Sequence, residues 1–99
     1  MNRKSEILNY LAENKSVFRK KYKIIKIGIF GSYAVNRSSD LSDIDLIVEF
    51  EPDTEMLFEK KMILKELLKR RFAVDVDICR EKYIKKYFKK QILKSAIYV

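Results

Sequence analysis

The sequence predicts a protein of the α/β class, in its α+β form, with a small mixed β-sheet flanked by helices. Three segments carry apolar side chains at helical spacing, and three shorter segments are rich in β-branched residues. The two kinds follow one another in the order helix, strand, loop, strand, helix, strand, helix. A chain of 99 residues fits one compact domain, so residues 1–99 are expected to form a single domain with one core and one site.

The first half of the chain predicts a helix, a strand and a polar loop. Apolar residues recur at helical spacing over residues 5–20, with Ser5 available as the helix cap. A β-branched run then begins at Ile24 and ends at Gly31, as expected of a mostly buried strand. The polar residues 32–42 predict a loop, or a short helix followed by a turn.

The second half predicts two strands and two helices. Residues 44–50 alternate in polarity, which is typical of a strand. The sequence Pro52-Asp53-Thr54 indicates the start of a helix that runs to about Arg71. Residues 73–79 alternate as a third strand, and residues 81–96 form a closing amphipathic helix.

The composition excludes several classes of function. With one cysteine and no histidine, the chain has no internal disulfide, no Cys/His zinc site and no histidine-based triad, so any catalysis must rest on carboxylates. Cys79 is expected to be a small, inert core residue. Charges interrupt every apolar run, so no signal peptide or membrane span is predicted, and the cytoplasm is the expected compartment.

The chain is basic, with 22 lysines and arginines against 14 acidic residues and a net charge of +8. Such an excess attracts nucleotides, nucleic acids or acidic proteins without choosing among them. The basic residues 19–23 and the lysines of the closing helix are expected to be a solvated surface, with a nucleic-acid contact as the alternative.

The acidic residues at the start of the second strand carry the chemistry. Asp43 and Asp45 are two residues apart, so a strand would present both carboxylates on one side of the sheet. A cation between them relieves their repulsion, and Mg²⁺ prefers such oxygen ligands. If the third strand lies alongside, Asp75 or Asp77 completes a three-carboxylate cluster that could hold two metal ions.

A phosphate-binding element is predicted at the end of the first strand. Gly31 allows close approach of the backbone to a ligand, and the Ser32 hydroxyl can bond a phosphate oxygen. The sequence therefore offers phosphate binding at one strand end and metal binding at the start of the next strand.

These residues resemble a known signature. Gly31-Ser32-Tyr33-Ala34, followed after ten residues from Ser32 by Asp43-Ile44-Asp45, is similar to the Gly-Ser and Asp-x-Asp motifs of the DNA polymerase β-like nucleotidyltransferase superfamily. The likeness extends over residues 24–99. It is greatest to the minimal nucleotidyltransferases, the group that includes MntA-type antitoxins.

The resemblance implies a palm-like fold and a magnesium-dependent transfer of AMP from ATP. Gly31 and Ser32 would contact the nucleotide phosphates, and Asp43 and Asp45 would be catalytic metal ligands for two Mg²⁺ ions. Asp77 is chosen as the third ligand because the family's acid lies shortly before the last helix, with Asp75 as the alternative. The implied acceptor is a tyrosine of a partner HEPN-domain toxin, which would make the chain an antitoxin of type VII.

The sequence also departs from the family's pattern. Val35 and Asn36 stand where many relatives have Arg and Gly. Asn tolerates the left-handed conformation that Gly would supply, and Arg37 lies close enough to take over a phosphate contact. Two other hypotheses therefore stay open, a catalytically degenerate antitoxin that acts by binding alone and an RNA-binding or RNA-modifying protein.

Overall fold

The structure is a computed structural model that describes residues 2–39 and 42–99. Its elements in chain order are α1 Arg3–Tyr22, β1 Ile24–Phe30, α2 Gly31–Ala34, β2 Ile44–Phe50, α3 Leu57–Phe72, β3 Val76–Arg80, α4 Lys86–Ser95 and β4 Ile97–Tyr98. A 3-10 turn, Glu81–Tyr83, separates β3 from α4. The predicted succession of helices and strands is confirmed, with one strand added at the C-terminal end.

The four strands form one mixed sheet in the order β3-β2-β1-β4. Strand β1 is antiparallel to both β2 and β4, whereas β2 and β3 are parallel and joined through α3. The predicted small mixed sheet flanked by helices is therefore confirmed. Strands β3 and β4 form its two edges.

The main core lies between one face of the sheet and the helices α1 and α3. Each helix contributes apolar residues at three- and four-residue spacing, and the strands contribute alternate positions. The fully buried members include Ile7 and Leu11 of α1, Ile29 of β1, Leu46 of β2, and Leu64 and Leu68 of α3. This packing fixes which side chains of the strands point away from the core.

The second face of the sheet carries the residues that alternate with the core positions. It is defined by Asp45, Ile47 and Glu49 of β2 together with Asp77 and Cys79 of β3. Ile47 is fully buried although it is not part of the main core. The acids at the start of β2 and β3 are partly or fully exposed, so one end of this face is accessible.

Two of the predicted helix starts are wrong. Helix α1 begins at Arg3, where the side chain of Asn2 accepts a hydrogen bond of 2.8 Å from the backbone N–H of Ser5, so Asn2 and not Ser5 is the cap. Helix α3 begins at Leu57, not near Pro52. Asp53 and Met56 both have positive φ angles, of 62° and 57°, so the chain makes a turn before the helix.

The C-terminal third also differs from the prediction. Strand β3 is Val76–Arg80, because Ala73 adopts a left-handed conformation that caps α3 and delays the strand. The predicted helix over residues 81–96 is split by extended backbone at Ile84, which follows the 3-10 turn. Residues Ile97–Tyr98 form β4 against β1, a pairing that a two-residue strand does not reveal in the sequence.

Within residues 2–39 and 42–99, no helix combines the length and the apolar character that crossing a membrane requires.

Candidate functional site

Two predicted acids lie side by side at the start of β2 and β3. The parallel register pairs Asp45 with Asp77, and adjacent strands lie about 4.8 Å apart. Asp43 immediately precedes β2, and the N–H of Ile44 donates to the backbone oxygen of Asp75 at 2.9 Å, which extends the pairing of the two segments. The structure thus brings Asp43, Asp45 and Asp77 to one end of the sheet.

The electrostatics of Asp45 reflect this arrangement. Burial raises the pKa of its carboxyl, and the negative charges of Asp77 and Asp43 raise it further. No hydrogen bond or ion pair within the described ranges neutralises the carboxylate of Asp43, Asp45 or Asp77. The three acids therefore form a site of uncompensated negative charge, which favours a cationic ligand.

Gly31 closes the other side of this acidic site. It follows Phe30, the β1 residue that pairs with Asp45, and has a φ angle of 71°. A Cβ on Gly31 would overlap Oδ2 of Asp45 and lie 3.1 Å from its Cγ. Both the left-handed conformation and the close carboxylate require glycine here. The predicted phosphate-binding and metal-binding motifs therefore meet at one place.

The loop after Gly31 keeps the turn that the family's pattern requires. Asn36 has a φ angle of 60°, as expected of an Asn that replaces Gly. The backbone oxygen of Ser32 accepts from the N–H of Arg37 at 2.8 Å, which holds the loop against the helix. Arg37 is exposed, and its side chain has no described hydrogen bond or ion pair, so it is free to reach a ligand. Tyr33 is buried and donates to the oxygen of Ser39 at 3.1 Å, which makes it a packing residue.

Asp75, the alternative third ligand, has a different environment from Asp77. It precedes β3, is exposed, and forms an ion pair of 3.4 Å with Lys69 of α3. The charges that raise the pKa of Asp45 are those of Asp77 and Asp43, not that of Asp75. Asp77 is therefore the acid that stands opposite Asp45.

The chemistry of the acids fits a magnesium ion. Their donors are oxygen atoms, which Mg²⁺ prefers, and they carry negative charge without a described partner. As placed in residues 2–39 and 42–99, however, no three His, Cys, Asp or Glu side chains form a group that could enclose a metal ion. Binding of an ion by the three carboxylates therefore requires their side chains to move.

The prediction that Cys79 is a core residue is wrong. It is exposed on the second face, two residues beyond Asp77, because β3 is an edge strand whose second face is only partly covered. Partial burial of its side chain raises the pKa of its thiol, and the charge of Asp77 raises it further. The alternation of residues 74–79 places Cys79 on the same face as Asp77, so its position outside the core could have been predicted from the sequence.

A second polar group anchors the chain that follows β3. Glu49 accepts from Nη2 of Arg80 at 2.9 Å and from the backbone N–H of Lys82 at 2.8 Å. Burial of Glu49 acts to raise the pKa of its carboxyl, but these hydrogen bonds outweigh that effect and lower it. Nearby, Glu81 accepts from Nζ of Lys26 at 2.9 Å and from the hydroxyl of Tyr98 at 3.2 Å. These contacts tie the 3-10 turn and β4 to the sheet.

Comparison with known proteins decides the family. The model of the nucleotidyltransferase domain family matches residues 11–99. The chain belongs to the nucleotidyltransferase domain family. The matched range of this nucleotidyltransferase includes Gly31 and the three acids, so the family's match covers the whole candidate site.

Relatives are similar to this nucleotidyltransferase over nearly their full length. A "putative protein adenylyltransferase" of Methanocaldococcus jannaschii is 42% identical over 98 residues, with 96% of each chain covered. The protein adenylyltransferase MntA of Thermococcus cleftensis is 31% identical over 94 residues, covering 95% of this chain and 93% of that protein.

Solved structures share the fold. A "putative minimal nucleotidyltransferase" superposes with a TM-score of 0.73 at 28% identity, over 93% of this chain and 92% of that chain. A chain from a toxin-antitoxin crystal structure with AMP-PNP superposes with a TM-score of 0.66 at 21% identity, over 98% of this chain and 72% of that chain. The predicted nucleotidyltransferase fold is thereby confirmed.

Proposed function

We propose that this nucleotidyltransferase is a protein adenylyltransferase, which transfers AMP from ATP to a tyrosine hydroxyl of a partner HEPN-domain toxin and so acts as an antitoxin. The observation that carries the proposal is the meeting of Asp43, Asp45 and Asp77 beside Gly31. The relatives named protein adenylyltransferases support the choice of AMP and of a protein acceptor. The HEPN toxin and the tyrosine rest on the resemblance of the motifs.

The acids are proposed to work together with magnesium. Asp43, Asp45 and Asp77 would hold the metal, and when bound it would lower the pKa of the attacking hydroxyl and neutralise charge on the phosphates. Gly31 brings the backbone to within contact of the Asp45 carboxylate, so phosphates held beside Gly31 and Ser32 would lie next to these acids. Arg37, which has no described partner, is proposed to contact the phosphates from the loop.

The reaction is a nucleotidyl transfer, a single displacement at the α-phosphorus of ATP. The acceptor oxygen forms a bond to the α-phosphorus, and the bond from that phosphorus to the oxygen bridging the α- and β-phosphates breaks. Pyrophosphate leaves with the electron pair of that bond, and the hydroxyl proton passes to the carboxylate of Asp77 and then to water. Asp77 suits this step because it is the exposed member of the Asp45–Asp77 pair.

Replacement of Asp43 tests this function. The variant Asp43→Ala should label a co-purified partner from radioactive ATP at least about 100-fold more slowly than the wild type, because it loses a metal ligand. Asp75→Ala is the matched control, since Asp75 is a nearby acid that pairs with Lys69 instead of facing Asp45. It should stay within about threefold of the wild type, the small effect expected of an exposed pair. Equal labelling by wild type and Asp43→Ala would refute the proposal.

A binding-only antitoxin remains the alternative, motivated by Val35 and Asn36 in place of the usual Arg and Gly. The same variant separates the two functions. If Asp43→Ala no longer labels the partner but still prevents growth arrest by the toxin, neutralisation depends on binding. If it loses both properties while still binding the partner, neutralisation depends on AMP transfer. An RNA substrate would instead show as Asp43-dependent labelling of RNA.

A further inference from the structure

A groove lies along the outer edge of β3 and leads to the acidic site. Its first part, about 180 Å³, lies between Phe58, Lys61, Met62 and Lys65 of α3 and Asp77 and Ile78 of β3. An adjoining part of about 230 Å³ shares Lys61 and Ile78 and continues to Tyr83. We call the two parts together the β3 groove. It contains Asp77, so anything bound along it would lie next to the proposed catalytic acids.

The edge of β3 is open. Strand β3 is the terminal strand of the sheet, with β2 on one side and no described strand on the other. An edge strand presents unpaired backbone N–H and C=O groups, to which an extended peptide can add as a further strand. The groove therefore has the shape for one extended chain between α3 and β3.

The lining combines apolar and basic side chains. Phe58, Met62 and Tyr83 are large apolar or aromatic residues with exposed fractions of 71%, 47% and 68%. Lys61 and Lys65 alternate with Phe58 and Met62 on α3, and neither lysine has a described ion pair or hydrogen bond. Exposed apolar patches of this kind mark interaction sites, and the free lysines select negative charge. The complementary partner is an extended segment with both apolar and acidic residues.

The alternation of a strand sets which residues of such a segment meet which side of the groove. Asp77 lies on the second face, whereas Ile78 packs towards the core beside α3. In an added strand, every second side chain would therefore project beside Asp77, and the residues between them would face Phe58, Met62 and the two lysines. A tyrosine opposite Asp77 would place its hydroxyl on the face that carries the acids.

We propose that the β3 groove binds the acceptor protein through an extended segment that adds to β3, with the acceptor tyrosine opposite Asp77 and apolar and acidic residues facing α3. The proposal rests on the proposed function for the role of the tyrosine. The groove thus selects the acceptor segment by its negative charge and by the alternation of its side chains along the strand. The groups that bind the nucleotide take no part in this selection.

A short peptide provides the probe. Fluorescein-labelled Glu-Ser-Val-Tyr-Val-Ser-Glu places tyrosine on one side of a strand, with valine and glutamate on the other. Fluorescence anisotropy without ATP should show that the full-length protein binds it at least about tenfold more tightly than the peptide with lysine in place of glutamate. Equal affinity for the two peptides, or no binding of either up to millimolar protein, would overturn the proposal.

Paired variants locate the contact. Lys61→Glu should weaken binding of the acidic peptide about tenfold, whereas Lys90→Glu makes the same charge change on α4 outside the groove and should have little effect. Met62→Ser should weaken binding, whereas its neighbour Ile63→Ser, with a similar exposed fraction of 45% against 47%, should not. Equal effects within each pair would show general charge attraction or non-specific adhesion and would contradict the proposal.

Hydrogen exchange tests strand addition directly. The acidic peptide should slow amide exchange in Val76–Arg80 by about tenfold or more, and leave α1 unchanged. Slower amide exchange elsewhere in the protein, with no change in β3, would refute the docking of a protein segment. Displacement of the peptide by a U12 RNA oligonucleotide that binds through Lys61 would refute it as well. Binding is measured without ATP, so it can succeed where AMP transfer fails, and Asp43→Ala should bind the peptide like the wild type.

Discussion

Asp45 shows how a single residue links stability and function in this nucleotidyltransferase. It is partly buried, lies opposite Asp77 and follows Asp43 by two positions, so its charge is costly in the folded state. A residue whose burial and neighbours both disfavour its ionised form contributes little to folding. Carboxylates with a perturbed pKa are common at functional sites, so the arrangement supports the proposed role of Asp45 in metal binding.

Replacement of Asp45 by the isosteric Asn should therefore stabilise the protein. A raised pKa means that the folded state binds the Asp45 proton more tightly than the unfolded state does. Stability is thus lost as pH rises from the ordinary aspartate pKa of 3.8 through the raised pKa of the folded state, and the penalty is complete above it. Asp45→Asn removes this penalty and should therefore raise Tm at pH 7.

Thermal unfolding against pH checks this result. The advantage of Asp45→Asn should shrink as pH falls below the folded pKa of Asp45, because the wild type is then protonated as well. The variant should also lose AMP transfer. Asp75→Asn should give no such stabilisation, because Asp75 is exposed and paired with Lys69. A lower Tm for Asp45→Asn at pH 7 would mean that the carboxylate stabilises the fold.

At Gly31, by contrast, the residue type is determined by space and backbone conformation and not by charge. Gly31→Ala should destabilise the protein by about 1 kcal/mol or more, because an L-residue is strained at a φ of 71° and its Cβ would overlap the Asp45 carboxylate. Chemical unfolding measures the loss. In an Asp45→Ala background the same change should cost less, since only the backbone strain remains. An equal cost in both backgrounds would remove the steric explanation.

Strand β4 is the element that most changes the predicted architecture. It consists of Ile97–Tyr98 and pairs with Gly28 and Ile29 of β1. Gly28 leaves no room for a side chain, since a Cβ there would lie 2.9 Å from both the carbonyl carbon of Ile97 and the Cα of Tyr98. The glycine in the middle of β1 therefore allows the C-terminal strand to approach.

Gly28→Ala should accordingly displace β4 and destabilise the protein by about 1–3 kcal/mol, the usual cost of overpacking. Urea unfolding measures the change. A chain shortened by residues 96–99 provides the control, because Gly28→Ala should cost little once β4 is gone. If the substitution is equally costly in the shortened chain, its effect does not arise from contact with β4.

The elements that the sequence predicted best are those with a long periodic pattern. β1 and β2 match their predicted ranges because β-branched and alternating residues extend over whole strands. The boundaries of α3, β3 and α4 differ because left-handed residues such as Met56 and Ala73 end or delay elements, and no residue type marks them. β4 is too short to show a period.

Charge is distributed unevenly over the whole molecule. Six of the lysines lie within residues 82–94, and residues 82–99 contain no acidic residue. The net charge of the chain is +8, so most of the excess belongs to this segment, whereas Asp43, Asp45 and Asp77 lie at the start of β2 and β3. The molecule therefore has a negative site on a basic background, which suits a nucleotide that arrives with its metal ion.

Binding of Mg²⁺ and ATP together should therefore stabilise the whole fold. At a ligand concentration 100 times Kd, mass action contributes about 2.7 kcal/mol, which raises Tm by roughly 10 °C or more in a chain of this length. Differential scanning fluorimetry with Mg²⁺-ATP measures it. ATP with EDTA should give a much smaller shift, and Asp43→Ala should give little shift in either condition. A full shift in the presence of EDTA would argue against metal ligation by the acids.

The sequence by itself determined the family resemblance, the order of the main elements and the residues Gly31, Asp43 and Asp45, because spacing along one chain records which groups share a strand or a turn. Only the tertiary structure decided that Asp77 and not Asp75 stands opposite Asp45, and that the edge of β3 is open. These properties depend on strand order and register, which are set by packing between residues distant in the chain.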